Sequence, residues 1–256
     1  MINLIRKISS AVLTIGIICF LSSEILAQET QKLPAQVLDL SNWKINVPEG
    51  IKTPGFSDEH RQPYLNTYSD KKWFYVNKTG DAVVFNATTG GVTTKGSGYP
   101  RSELREMTDN GKRNASWSSS EGTHTLFIDQ SIIHLPVVKP HIVVGQIHDA
   151  DDDVIVFRLE KNKLFIKIDE ETGPVLDNNY QLGTRFNVMF KVKNNQTECY
   201  YNGKLKFTYT KAFTGAYFKA GAYVQSSCQG RRKVEGEACD AYGAVEIYKV
   251  WVKHEP

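Results

Sequence analysis

Three short stretches of this chain place chemically capable side chains two residues apart. Arg101, Glu103 and Arg105 interleave with Ser102, Leu104 and Glu106, and a strand puts the first three on one face. Two guanidinium forks flanking a glutamate form a donor array suited to carboxylates, with Glu103 placed to hold both forks. A solvated strand with neutralising pairs has the same spacing. Gln146 and His148 follow the apolar run Ile142, Val143, Val144 and share a face. An amide and an imidazole at the end of a buried strand are costly unless partnered, although a single histidine in a β protein is more often structural. From Tyr217 to Gln225 the alternation is cleanest. Phe218, Ala220, Ala222 and Val224 take one face; Tyr217, Lys219, Gly221, Tyr223 and Gln225 take the other. That second face offers a cation, two phenols and an amide, with a glycine able to admit a ligand close to the backbone. A half-exposed antiparallel strand can look like this; three such strands together point to a binding or catalytic surface.

The elements that must carry these faces read as strands almost throughout. Trp43–Val47 alternates and is ended by Pro48, residues 48–72 read as loop, and 81–87 and 101–107 are strands separated by the glycine-rich stretch 90–100. Further strands are expected at 123–134, 141–149, 154–160, 164–169, 186–193, 198–201, 205–209, 217–225 and 244–254. Asn202-Gly203 is a strong signal for a tight hairpin turn, and Lys161-Asn162 a weaker one. No stretch sustains a helical period. The pattern is that of a single all-β sandwich or jelly roll, with no repeat and no linker between residues 39 and 254.

Composition bounds the function. The 256 residues, 41% hydrophobic, suffice for a core without metals or dense cross-links. The first 27 residues read as a secretory signal peptide: Arg6 and Lys7, then the apolar Ala11 to Leu21, then Ile25-Leu26-Ala27. The apolar run is short for a membrane span, and Ile18 before Cys19 argues against a lipoprotein signal. The expected location is therefore secreted or periplasmic, with no membrane association after signal removal. Residues 28–36 are expected to be a flexible segment and 37–256 the folded domain. Without the signal, 29 basic and 27 acidic residues remain. So small an excess does not describe a nucleic-acid binder, and an anionic ligand would need a local basic patch. Export permits disulfides. Cys228 and Cys239 bracket a short segment and are the expected pair, with Cys199 buried in a strand, though an odd count leaves the pairing open. Asp149, Asp151, Asp152 and Asp153 lack the spacing of a calcium loop and read as a solvated turn. The Asn-x-Ser/Thr sequons at Asn77, Asn86, Asn114 and Asn195 fit surface turns.

Arg-Ser-Glu-Leu-Arg at 101–105, Gln-Ile-His at 146–148 and Tyr-Phe-Lys-Ala-Gly-Ala-Tyr-Val-Gln at 217–225 resemble, in order and spacing, the three signature motifs of the family 7 polysaccharide lyases, the alginate lyases. The resemblance runs from Leu38-Asp39-Leu40-Ser41-Asn42-Trp43-Lys44 to Tyr248-Lys249-Val250-Trp251-Val252. It implies a jelly-roll β-sandwich of two curved antiparallel sheets, with the three motif strands side by side in a concave groove. It further implies β-elimination on alginate, with no cofactor and no metal. Tyr223 and His148 match the family's proton-transfer residues, with Tyr223 the acid and either His148 or Tyr223 the base according to the configuration at C5. Removing the weakly acidic C5 proton places charge on the C6 carboxylate, which needs preorganised donors; Arg101 and Gln146 are the candidates. Glu103, Arg105, Tyr217, Lys219 and Gln225 then fit as groove residues that bind substrate. Which of Arg101 and Arg105 meets the reacting carboxylate stays open. In the family, Ile between the glutamine and histidine accompanies guluronate-containing substrates, so Ile147 implies a preference for guluronate or mixed blocks, with expected endo action by a monomer. Two rival readings exist: a non-catalytic carbohydrate-binding sandwich, and a glycoside hydrolase, which needs two carboxylic acids and for which Lys167-Ile168-Asp169-Glu170-Glu171 is the nearest stretch.

Overall fold

The computed structural model describes residues 32–169 and 171–256. The signal-peptide reading and the expectation for residues 28–31 lie outside the described residues. A short 3-10 turn at Pro34–Gln36, with Pro34 buried, already packs on the body. The folded part therefore starts a few residues ahead of the expected boundary at 37.

The strands are β1 (Trp43–Val47), β2 (Asp58–His60), β3 (Phe74–Val76), β4 (Val83–Thr88), β5 (Arg101–Thr108), β6 (Arg113–Asn114), β7 (Thr123–His134) and β8 (His141–His148). They continue with β9 (Asp153–Glu160), β10 (Lys163–Ile168), β11 (Glu171–Asp177), β12 (Arg185–Lys193), β13 (Gln196–Tyr201), β14 (Lys204–Thr210), β15 (Tyr217–Val224) and β16 (Tyr242–Glu255). Two antiparallel sheets result. One runs β11-β10-β9-β8-β15-β5-β1-β2, with β6 on β5; the other runs β14-β13-β12-β7-β16-β4-β3. The expected strands are present with ends shifted by at most two residues. Asn202 and Gly203 both take positive φ, 48° and 74°, as the hairpin signal requires. Four strands were not expected: β2, β3, β6 and β11. Each lies at a sheet edge or off its main path; β2, β3 and β6 are too short to show alternation, and β11 is interrupted by Gly173 and Pro174. Pro174 is tolerated because β11 is an edge strand.

The core lies between the sheets. Phe157 of β9 stacks on Phe190 of β12 at 4.3 Å, and Ile147, Phe218, Ala220 and Ala222 are fully buried from the first sheet. These inward residues fix the register that matters for function. Strand β15 is central: it pairs with β5 through Lys219↔Arg105 and Tyr223↔Arg101, and with β8 through Tyr217↔His148 and Lys219↔Gln146. The three motif strands are thus adjacent.

Two irregularities tune that register. On β8 the pairing shifts around Val144 and Gly145, so that Val143 and Gln146, three apart, both face the groove. Gly145 turns inward, where a Cβ would come within 2.8 Å of Ile128 Cδ1. On β15, Gly221 sits at φ 138°. Its missing side chain does not admit a ligand, as the sequence suggested. It makes room for the neighbouring strand, since a Cβ would meet Ser102 O at 2.5 Å and Glu103 Cα at 2.9 Å. Gly221→Ala is therefore expected to destabilise the fold by roughly 1–3 kcal/mol, from strain at a glycine-favouring φ, measured as a lowered denaturation midpoint; an unchanged midpoint would contradict this packing.

The expected disulfide is present: Cys228 and Cys239 are joined, and Cys199 is free and buried, its thiol pushed up by burial.

Candidate active site

The outward face of the first sheet forms a groove of about 990 Å³. It reaches from Glu59 on the β2 edge to Thr172 on the β11 edge, and Arg101, Arg105, Gln146, His148, Tyr217, Lys219, Tyr223 and Gln225 all line it. Eight of the nine residues singled out from sequence are thus gathered on one surface. The ninth, Glu103, lies directly beneath, 1% exposed.

Glu103 organises the floor. Its carboxylate accepts from Gln146 Nε2 at 2.5 Å, Lys219 Nζ at 2.6 Å and Arg101 Nη1 at 3.0 Å. Burial by itself would raise the Glu103 pKa; Lys219 and Arg101 overcome this and hold the carboxyl below its ordinary range. A carboxylate only accepts, so the Gln146 amide must present nitrogen to it, which fixes the orientation of that side chain. The sequence expectation that Glu103 holds both guanidinium forks needs correction. Arg105 lies over the Tyr217 ring, its Cζ 3.8 Å from the centroid, and its buried Nη1 has no partner among the described residues. The second cation on Glu103 is Lys219, brought there by the β15–β5 register.

Lys219 is 7% exposed. Burial, reinforced by nearby Arg101, pushes its ammonium down to about 8 despite the contact with Glu103. Arg101 Cζ stands 3.7 Å from the centre of the Tyr223 ring, a cation placed against a phenol. The Tyr223 hydroxyl lies 3.1 Å from Ser97 Oγ. His148 stacks on Tyr217 at 5.1 Å, and its Nδ1 is 2.8 Å from the carbonyl of Asp149. A carbonyl only accepts, so Nδ1 carries a proton and Nε2 of the neutral ring keeps a lone pair. Burial lowers the His148 pKa, which favours that neutral form. Gln225 accepts from Arg158 Nη1 at 3.1 Å, and its own buried Nε2 has no partner among the described residues.

Sequence reasoning missed Ser97, Tyr99, Lys139 and Arg158, all of which line the groove. Arg158 had a signal: Val156, Arg158 and Glu160 alternate with buried residues on β9. Ser97 and Tyr99 sit in the glycine-rich stretch before β5, where no periodicity exists to read. Residues 149–152 form the turn that was expected, with Asp149 Oδ1 accepting from the backbone of Asp151 and Asp152, whereas Asp153 opens β9 and is partly buried. Among the described residues no cluster is arranged to hold a metal ion. Asp169 and Glu171, the nearest hydrolase-like acids, do not line the groove.

A two-sheet β-sandwich whose open face gathers carboxylate-binding donors beside a phenol and a neutral imidazole defines a carbohydrate-active protein for acidic sugars. The alginate lyase family model matches residues 38–254. An alginate lyase of polysaccharide lyase family 7, AlgAT5, is 51% identical, covering 88% of this chain and 100% of that chain at a TM-score of 0.83. The alginate lyase of a Corynebacterium species is 46% identical, with coverage of 89% and 100% and a TM-score of 0.82. A curated alginate lyase from Klebsiella pneumoniae is 26% identical over 156 residues, so the match spans about half of each protein, 51% of this chain and 50% of that one. The chain belongs to the family 7 alginate lyases, and its sandwich is their jelly roll.

The Lys219 environment generates a pH dependence. The ammonium is charged below about pH 8 and neutral above, and a neutral amine attracts an anionic sugar less. The KM for a polyuronate is therefore expected to rise as pH passes 8, and Lys219→Met to raise KM at neutral pH while removing that rise. A KM flat across this range in the wild type would contradict the assignment.

Proposed function

We propose that this chain is an exported alginate lyase that cleaves 1,4 linkages within alginate chains by β-elimination. The observation that carries the reading is the convergence of Arg101, Gln146 and Lys219 on buried Glu103, beside Tyr223. Each of these groups spends a donor on Glu103, which fixes the three side by side where they line the groove. Such an array is preorganised for the charge that develops on a uronate carboxylate when C5 loses its proton. On this reading Arg101, rather than Arg105, meets the reacting carboxylate, and Arg105, with its unpartnered Nη1, holds a neighbouring one.

A base removes the C5 proton, the electron pair forms the C4–C5 double bond, the C4–O4 bond breaks, and an acid protonates O4. For guluronate, His148 Nε2 is the base and Tyr223 the acid; for mannuronate, with the opposite C5 configuration, Tyr223 serves as both. Endo action is supported by a groove lined from one sheet edge to the other, which suits a chain bound at its middle. Export is supported by the signal-like N-terminus and by the disulfide.

The test is the rise in ultraviolet absorbance as unsaturated ends form. Tyr223→Phe, which keeps the ring and removes the hydroxyl, is expected to abolish most of kcat and leave oligosaccharide binding nearly intact; an unchanged kcat would exclude Tyr223 from proton transfer. No rise from the wild type on any alginate would favour the carbohydrate-binding alternative.

We further propose a preference for guluronate or mixed blocks. Ile147 is fully buried, opposite Phe218 and Ile155, and supports the backbone beneath His148 from the core side. Its volume acts on the position of His148, the base for guluronate, without touching sugar. A higher kcat/KM is expected on guluronate or mixed blocks than on poly-mannuronate. Ile147→Val is expected to narrow the ratio at a stability cost of about 0.5–1.5 kcal/mol. A wild-type preference for poly-mannuronate would refute the proposal; an unchanged ratio in the variant would remove Ile147 as its cause.

A further inference from the structure

We infer that Ser97 is a positioning residue that directs the Tyr223 proton into the groove and supports the oxygen left when that proton departs. This rests on the reading of Tyr223 as the proton-transfer group. Ser97 Oγ has four polar neighbours. Arg101 Nη2 lies at 2.9 Å, the Tyr99 backbone nitrogen at 3.2 Å, the Tyr99 carbonyl oxygen at 3.1 Å and the Tyr223 hydroxyl at 3.1 Å. A serine hydroxyl has one proton and two lone pairs. The guanidinium and the backbone N–H can only donate, so together they fill both lone pairs.

Two consequences follow from that count. The Tyr223 phenol has no lone pair on Ser97 to donate to, so its proton points elsewhere. The Ser97 proton has two acceptors at equal distance, the Tyr99 carbonyl and the Tyr223 oxygen. While Tyr223 is protonated, Ser97 can serve the carbonyl. Once Tyr223 has given its proton away, the Ser97 hydroxyl turns to the charged oxygen, where a hydrogen bond is strongest. Ser97 keeps its own proton throughout, and no covalent bond to it changes. Arg101 is linked to Tyr223 twice, through the ring face and through Ser97.

The loop is built to hold this hydroxyl in place. The Ser97 carbonyl accepts from Thr93 Oγ1 at 3.0 Å, and its N–H donates to Thr94 O at 3.0 Å. The preceding carbonyl, Gly96 O, accepts from Arg231 Nη2 at 2.7 Å. Arg231 lies between the disulfide-bonded Cys228 and Cys239, so a cross-linked segment braces the loop.

Steady-state kinetics on alginate with Ser97→Ala, Ser97→Thr, Tyr223→Phe and the Ser97→Ala/Tyr223→Phe double variant test the inference. Ser97→Ala is expected to lower kcat roughly 10- to 100-fold, the worth of one hydrogen bond to a charged group, with KM little changed. Ser97→Thr, which keeps the hydroxyl, is expected to recover most of the loss. In the Tyr223→Phe background, Ser97→Ala is expected to add no further loss, because both act through the same oxygen. A Ser97→Ala kcat at the wild-type level would overturn the inference. So would a loss confined to KM, a threonine variant no better than alanine, or a loss that multiplies on Tyr223→Phe. If Tyr223→Phe itself retains wild-type kcat, the proton-transfer reading fails, and the inference with it, by a result that no Ser97 variant produces.

Discussion

The structure of the groove depends on one buried carboxylate. Glu103 is nearly inaccessible, and Lys219 and Arg101 against it outweigh the burial that disfavours its charge, with Gln146 completing its hydrogen bonds. Burying an ion is expensive, and removing one partner of a buried pair leaves an uncompensated charge at a cost of about 3–5 kcal/mol. The four side chains therefore stand or fall together. They come from β5, β8 and β15, so their mutual requirement also ties together the three strands that form the floor. Polar groups that would each be a liability on an apolar strand become a rigid donor cluster once they share an anion.

The cluster works at the groove surface because the sheet is not regular. A plain alternation along β8 would put Gln146 and His148 on the face opposite Val143. The bulge at Val144 and Gly145 removes that conflict, and the two inward-facing residues it creates are absorbed by the core against Ile128. On β15, Gly221 lets the backbones of β15 and β5 approach over Ser102 and Glu103. The site is therefore built partly from the core outward: what the inner face accommodates decides which polar groups reach the groove.

A second layer of control comes from loops rather than strands. The segment containing Ser97 and Tyr99 lines the groove, and its hydrogen bonds run to Arg101, Tyr223, Lys139 and Arg231. Beyond the end of β8, Asp149 supplies the carbonyl that sets the tautomer of His148. His148 and Tyr223 are thus each contacted by a backbone or hydroxyl group outside the motif strands.

The sequence by itself determined the all-β class, most strand positions and the face on which each motif side chain lies, and it favoured the Cys228–Cys239 pairing that the structure then decided. Two-residue periodicity, Asn-Gly turn chemistry and cysteine placement are local properties, and they survive in the folded chain. Strands β2, β3 and β6 were not legible because two or three residues are too few to show a period of two, and β11 because Gly173 and Pro174 interrupt it. Tertiary structure alone decided that Glu103 pairs with Lys219 rather than Arg105. That outcome depends on the register between β15 and β5, and register is set by the hydrophobic face of each strand packing against the other sheet. Only the fold, likewise, brought Ser97 and Arg158 to the groove. The relation of Ser97 to Tyr223 spans 126 residues of chain, and no local pattern encodes a contact between a loop and a strand so far apart.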